Sequence, residues 1–288
     1  MFTLQILANG VVLGCLYACI AVGFSLVWGV LNVINLMHGS FIVLGSYLAW
    51  GAYNGLGLSP WISLAIAAPV FYVAGYLIQR GVLNRVIAAP VLVTLTLTFG
   101  LDLILNNAML LAFKADYRKL LLDPPLGTAA FGSVVVPVDR IIATFLALAL
   151  TGALYVILRR SRIGRAIIAV RLDRDAARLM GVNVATTYAA AFGLGAAMAG
   201  CAGVLLALIF PISPLSATPY LGKAFVVCVL GGLGSVPGAV LGGLILGLVE
   251  SFGAFAIGPE HAVTLSFALL ILFLIFRPQG LLGKRGFE

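Results

Sequence analysis

Few residues in this chain could do chemistry. Its 288 residues include only 2 histidines and 4 cysteines, and 9% of positions are charged. No H-E-x-x-H, Ser/His or paired-Asp arrangement occurs, so no catalytic or metal-ligating set is expected. A phosphate-binding loop requires G-x-x-x-x-G-K-[ST]. The lysines are Lys114, Lys119, Lys223 and Lys284, and none sits in that pattern. Any ATP-derived energy must come from another chain. Cys15 and Cys19 share a helix face, but no His or carboxylate accompanies them, which points to packing. The ionisable residues that stand out are Asp102, Lys223 and Glu250, because they fall within or beside apolar runs. Each such charge costs ~2.5–3.5 kcal/mol on insertion scales, so partners are expected. Lys223 and Glu250 are expected to form an ion pair that fixes the last helices; contact with a small charged ligand and a proton relay are the alternatives. His38 stands alone, suited to a capping or packing role or to a gate.

The elements that hold these residues are membrane spans. The chain is 62% hydrophobic with mean hydropathy +1.17, and a soluble fold could not cover itself with so few charges. A span needs ~20 apolar residues. Nine apolar segments are legible, at roughly 4–30, 39–54, 60–79, 87–113, 140–158, 184–210, 220–236, 238–256 and 262–276. The fourth contains Gly100 and Asp102 and is a candidate for a break. The first is too long for a signal h-region and reads as a retained span. The fold class is therefore all-α, a polytopic transmembrane bundle of about 8–10 spans, some broken or re-entrant, in one domain over 1–288. The net charge of +8 reports topology rather than nucleic-acid binding, because the basic residues sit between spans. Arg80 and Arg85, seven arginines from Arg159 to Arg178, and Arg277, Lys284 and Arg285 fall on one side of nine crossings. The positive-inside rule puts that side, and the C-terminus, in the cytoplasm and the N-terminus outside.

Two stretches read as interrupted helices: Asn32–Gly39 and Gly231–Gly238. Freed backbone groups are tolerated at membrane depth only inside protein or beside water, and paired interruptions often line a transport pathway. Simple cytoplasmic turns are the alternative. The pathway or gate candidates are Asn35, His38, Gly39, Gly231, Gly232, Gly234, Ser235, Lys223 and Glu250, with Asn32 and Asn35 suited to satisfying freed backbone groups. No sequence repeat between the halves is evident. Small residues at four-residue spacing, Gly10/Gly14, Gly238/Gly242 and Gly243/Gly247, suit close helix packing.

The loop over 159–183 is basic and amphipathic. Leu172, Ala176, Leu179 and Met180 make an apolar stripe at helical spacing, opposite Arg171, Arg174, Asp175 and Arg178. Gly181 can end the helix in the left-handed conformation. Such a helix can lie on anionic lipid, anchor topology or dock on a soluble partner. Asp175-Ala176-Ala177-Arg178-Leu179-Met180-Gly181 resembles the EAA-x-x-x-G loop of ABC importer permeases, with Asp for Glu and without the later Ile and Leu-Pro.

Three further segments extend the resemblance. Asn35-Leu36-Met37-His38-Gly39-Ser40 followed by Gly45-Ser46-Tyr47, the glycine-rich run Gly231–Gly242, and Arg277-Pro278-Gln279-Gly280-Leu281 resemble, in order and spacing, segments of the LivH-type branched-chain amino acid permeases. The resemblance covers essentially the whole chain. It implies a permease subunit of a bacterial ABC importer in the inner membrane. The implied partners are a second similar permease, two cytoplasmic ATP-binding subunits carrying ATP and Mg, and a periplasmic or lipid-anchored substrate-binding protein. Arg171, Arg174, Asp175, Ala176, Ala177, Arg178 and Gly181 would then couple to the ATPases. Related permeases carry urea, short amides or other amino acids, so the solute stays open. The rival reading is a stand-alone ion-coupled transporter, for which Asp102 and Glu250 are the only candidate ion sites.

Overall fold

The computed structural model describes residues 2–283, except 88, 124, 133 and 278. Eleven α-helices run in order: α1 Phe2–Leu31, α2 His38–Leu56, α3 Pro60–Gly81, α4 Val91–Phe113, α5 Val138–Arg160, α6 Arg162–Leu172, α7 Arg174–Leu179, α8 Val184–Ile209, α9 Ala217–Gly231, α10 Val236–Ile257 and α11 Ala262–Phe276. Each of the nine expected apolar segments corresponds to one helix. Seven are long and apolar enough to cross a membrane; α2 falls outside that set, and α11, with 15 residues, is short for a full crossing. The fourth segment is not broken: α4 runs unbroken past Gly100 and Asp102. The connection from α4 to α5 contains the only strands among the described residues, an antiparallel hairpin of β1 Thr128–Phe131 and β2 Val134–Pro137.

The centre of the bundle is α1 crossing α8. Both are almost wholly buried, and they meet backbone to backbone: a Cβ added at Gly23 would lie 2.8 Å from the Gly195 carbonyl oxygen. Glycine there removes the only atoms that would hold the helices apart. The spaced glycine pairs serve the same purpose. Gly10 and Gly14 of α1 face Leu244, Gly243 and Leu248 of α10, and Gly243 and Gly247 face back onto α1.

Both central helices end in a re-entry. Asn32 closes α1 at φ 52°, donating its N–H to the Trp28 carbonyl at 2.9 Å. Asparagine tolerates that left-handed conformation. The next residues turn back along α1, so His38, at the start of α2, meets the carbonyl of Ile20 at 2.9 Å. That carbonyl lies about 16 Å inside α1 from its end. The second re-entry follows α8, where Ile212, Ser213 and Pro214 are buried and lead into α9. Its first residue, Ala217, presents its carbonyl against Gly39 so closely that a Cβ there would overlap it.

These re-entries expose a correspondence that the sequence hides. In each half a central helix is followed by a re-entry, a helix starting at depth, a helix packed along the other half's central helix, and an outer helix. The first set is α1 to α4 and the second α8 to α11; α10 lies along α1 as α3 lies along α8. The sets run in opposite directions, and α5 touches both central helices. The expected partner of the Asn32–Gly39 interruption was Gly231–Gly238. Its structural counterpart is instead 210–216, and Gly232–Ser235 is a turn at the end of the bundle.

Hydrogen bonds assign the two ends. Arg171 to Gly234, Asn84 to Ala185, and Leu281 and Leu282 to Leu230 and Gly231 gather the 159–183 loop, the α3–α4 connection and the C-terminal segment at one end. The opposite end holds β2, paired with Gln5 in both directions at 2.9 Å, and the Arg118–Ile212 bridge. Arg80, Arg85, the seven loop arginines and Arg277 therefore share one end, as the charge pattern expects. Lys284 and Arg285 lie outside the described residues.

Candidate functional site

Three groups of residues could serve transport. The first is the meeting of the re-entries. His38 is fully buried, with Nε2 on the Ile20 carbonyl, Phe24 edge-on at 5.4 Å, and no partner for Nδ1 among the described residues. Asn35 is also buried; its carbonyl accepts from the His38 N–H at 3.3 Å, while both side-chain polar atoms lack partners. Asn35 thus does not satisfy freed backbone groups with its side chain. That task falls to Thr98 of α4, whose hydroxyl donates to the Ile34 carbonyl at 2.9 Å. Asn32 contributes through its backbone conformation. Gly39 sits under Ala217, as described.

The second group surrounds Glu250. Lys223 Nζ lies 2.9 Å from Glu250 Oε2. Tyr17 donates to that same oxygen at 2.6 Å, and Lys223 donates to the Tyr17 hydroxyl at 2.7 Å. Ser266 donates to Oε1 at 2.5 Å. The cluster joins α1, α9, α10 and α11, and a buried ion pair is stable only when its remaining lone pairs and protons are satisfied in this way. The sequence located the pair but not Tyr17 or Ser266, which lie in other helices with no local signal. Asp102 finds its partner in Ser40, whose hydroxyl donates to Oδ1 at 2.5 Å. Both membrane carboxylates are therefore occupied by protein.

The third group is the loop. It is two helices rather than one, because Asp173 takes an extended conformation and caps α7, accepting from the N–H groups of Asp175 and Ala176 at 2.9 Å. Such competition with the helix ladder is what short acidic side chains do at a helix start. Gly181 ends the segment at φ 84°. Leu172, Leu179 and Met180 are 76%, 88% and 84% exposed. The break leaves Leu172 on a different helix from the other two, yet all project from the bundle end. Arg174, Asp175, Ala176 and Arg178 are also exposed, and Arg174 stacks on Tyr188 at 5.7 Å. Ala177 is buried.

Arg171 turns the other way. Its guanidinium donates to the Gly234 carbonyl at 2.6 Å. It has no carboxylate partner among the described residues, and burial lowers its pKa from the ordinary arginine value. Gly231, Gly232, Gly234 and Ser235 thus lie at the loop end of the bundle. Ser235 caps α10 by accepting from the Gly238 N–H at 3.1 Å.

Residues 6–274 match the branched-chain amino acid transport system / permease component family. This chain belongs to that family. The permease is 35% identical to the high-affinity branched-chain amino acid permease protein BraD of Pseudomonas aeruginosa, over 98% of this chain and 96% of that one. It is 36% identical to LivH of Escherichia coli K12, over 99% and 96%. LivM of the same organism is 31% identical, over 93% of this chain and 68% of that one. Among solved structures, PsaBC from Streptococcus pneumoniae in complex with Fab covers 96% of the permease at 13% identity and a TM-score of 0.48.

Proposed function

We propose that this permease is the membrane half of an ATP-driven importer of branched-chain amino acids. The exposed apolar side chains of Leu172, Leu179 and Met180, outside any span, carry the reading. Apolar groups projecting into water beside arginines suit a groove on a soluble partner. Two cytoplasmic ATP-binding subunits, carrying ATP and Mg, fill that role, and they supply the phosphate-binding loop that this sequence lacks. The similarity to both LivH and LivM supports pairing with a second, similar permease. A substrate-binding protein delivers the solute at the hairpin end. The shared end of the basic clusters supports a cytoplasmic loop and C-terminus, an outer N-terminus and a bacterial inner membrane.

In this mechanism ATP-driven closure of the partners displaces α6 and α7, the bundle opens toward the loaded binding protein, and hydrolysis resets it. Asn35, His38 and Gly39 line the part of the pathway where the re-entries meet. The occupied carboxylates argue against an ion-coupled transporter working alone. Reconstitution tests the reading. Vesicles holding the permeases, the ATPases and the binding protein should take up leucine with ATP, and omission of the ATPases should abolish it. Leu179→Glu with Met180→Glu should release the ATPases on co-purification. Leucine uptake by this chain alone would overturn the proposal.

A further inference from the structure

The proposed importer needs a physical link from its docking surface to its outer half. α6 and α7 meet the partner, while the Glu250 cluster lies far along α9 and α10. Lys223 is eight residues from the end of α9, and Glu250 is fourteen into α10, so the two stand about 12 and 21 Å from the turn.

That turn is tightly clamped. Gly231 and Gly238 pack backbone on backbone across it, and Gly242 lies against Val227 and Gly231. With glycines at these three positions α9 and α10 pack backbone on backbone beside the turn, and the Lys223–Glu250 pair joins them again farther along. The turn in turn touches three elements. The Arg171 guanidinium donates to the Gly234 carbonyl from α6. Gly29 of α1 abuts Gly234, since a Cβ on Gly29 would come 2.6 Å from the Gly234 Cα. Leu281 and Leu282 donate to the carbonyls of Leu230 and Gly231 at 2.8 and 3.1 Å. Among the described residues Arg171 is the one side chain of α6 or α7 hydrogen-bonded to another helix hairpin. Beside it lies a cavity of about 370 Å³, bounded by Asn32, Thr94, Arg174 and Tyr188 together with the end of α6.

We propose that the α9–α10 hairpin is the lever that carries displacement of the loop to the outer half of the permease, and that Arg171, through its bond to the Gly234 carbonyl, is the positioning residue that drives it. The guanidinium suits the task. It stays charged when half-buried, holds its direction, and its charge-assisted bond is stronger than a neutral one. Gly234 favours glycine because its φ of 74° strains any side chain and because a Cβ would come 3.0 Å from the Gly29 Cα, crowding the Arg171 guanidinium as well.

The proposal rests on the loop docking to ATPases, and the test separates the two. In vesicles holding the full transporter, ATP hydrolysis and leucine uptake are measured together for Arg171→Gln, Arg171→Lys and Gly234→Ala, after co-purification of the ATPases is checked. Arg171→Gln should keep hydrolysis within about twofold of the parent while uptake per ATP falls about tenfold. Arg171→Lys, which keeps one charged donor, should recover part of that ratio. Gly234→Ala should uncouple with Arg171 intact. A purely structural role would lower hydrolysis and uptake in proportion. That result, or an unchanged uptake per ATP in Arg171→Gln, overturns the lever. If Arg171→Gln does not assemble, unchanged ratios in both other variants overturn it. Failure of the parent chain to retain ATPases would instead overturn the docking reading.

Discussion

At the residue scale, the cluster around Glu250 decides between scaffold and substrate contact. Removing one partner of a buried pair typically costs about 3–5 kcal/mol, whereas replacing both by apolar side chains is often neutral. Glu250→Ala is therefore expected to lower the thermal unfolding midpoint in detergent, with Tyr17 and Ser266 losing the carboxylate they donate to and Lys223 its counter-charge. Lys223→Met with Glu250→Met should restore most of that loss. If uptake returns with stability, the cluster is a scaffold; stability without uptake would assign it to the solute. Asn35 offers the opposite test. Its side chain is buried without partners, a state costing about 1–3 kcal/mol. Asn35→Leu should raise the unfolding midpoint, and loss of uptake in that more stable variant would place Asn35 on the pathway. The pairing of Lys223 with Glu250 was legible because buried charges require partners. Tyr17 was not, since it lies 206 residues from Lys223 in sequence and a tyrosine in an apolar run carries no mark of its use.

At the element scale, the close approaches depend on glycine. Gly45 of α2 sits against the backbone of Gly200, and Gly203 of α8 against the carbonyl of Ile42. Gly45→Ala or Gly203→Ala should each destabilise by about 1–3 kcal/mol, as overpacking does. Gly51→Ala, on the same α2 with nothing near its Cβ, is the control and should be neutral or better, since alanine favours helix. Asn32 should accept glycine but not valine, because a β-branched side chain resists φ 52°. Helix positions were readable because membrane thickness dictates span length. The re-entry at 210–216 was not, because Pro211, Ser213, Pro214 and Ser216 mark a turn there without showing that the chain turns back inside the bundle rather than at its surface. The split of the loop at Asp173 was likewise masked, as a periodic stripe does not reveal which residue prefers to cap. Arg171 and Leu172 belong to one helix and the exposed pair Leu179 and Met180 to the next segment, a division only the backbone displays.

At the scale of the whole molecule, the two halves repeat with opposite direction although their sequences do not. Packing conserves shape and small residues rather than identity, so a repeat of contacts outlasts a repeat of letters. The opposition of the ends yields an orientation test. The native cysteines are all buried, which keeps background labelling low. In intact cells, Leu179→Cys should resist a membrane-impermeant thiol reagent until the membrane is opened, whereas Leu56→Cys should react at once. The reverse order would invert the proposed topology.

The backbone bonds from Leu281 and Leu282 have a practical consequence. They tie the last described residues to the glycine turn, so anything fused behind Gly283 hangs from the same joint. A folded fusion partner attached there would crowd that joint, while one attached ahead of α1 would sit at the opposite end. Purification from the N-terminus is the design that leaves the turn unburdened.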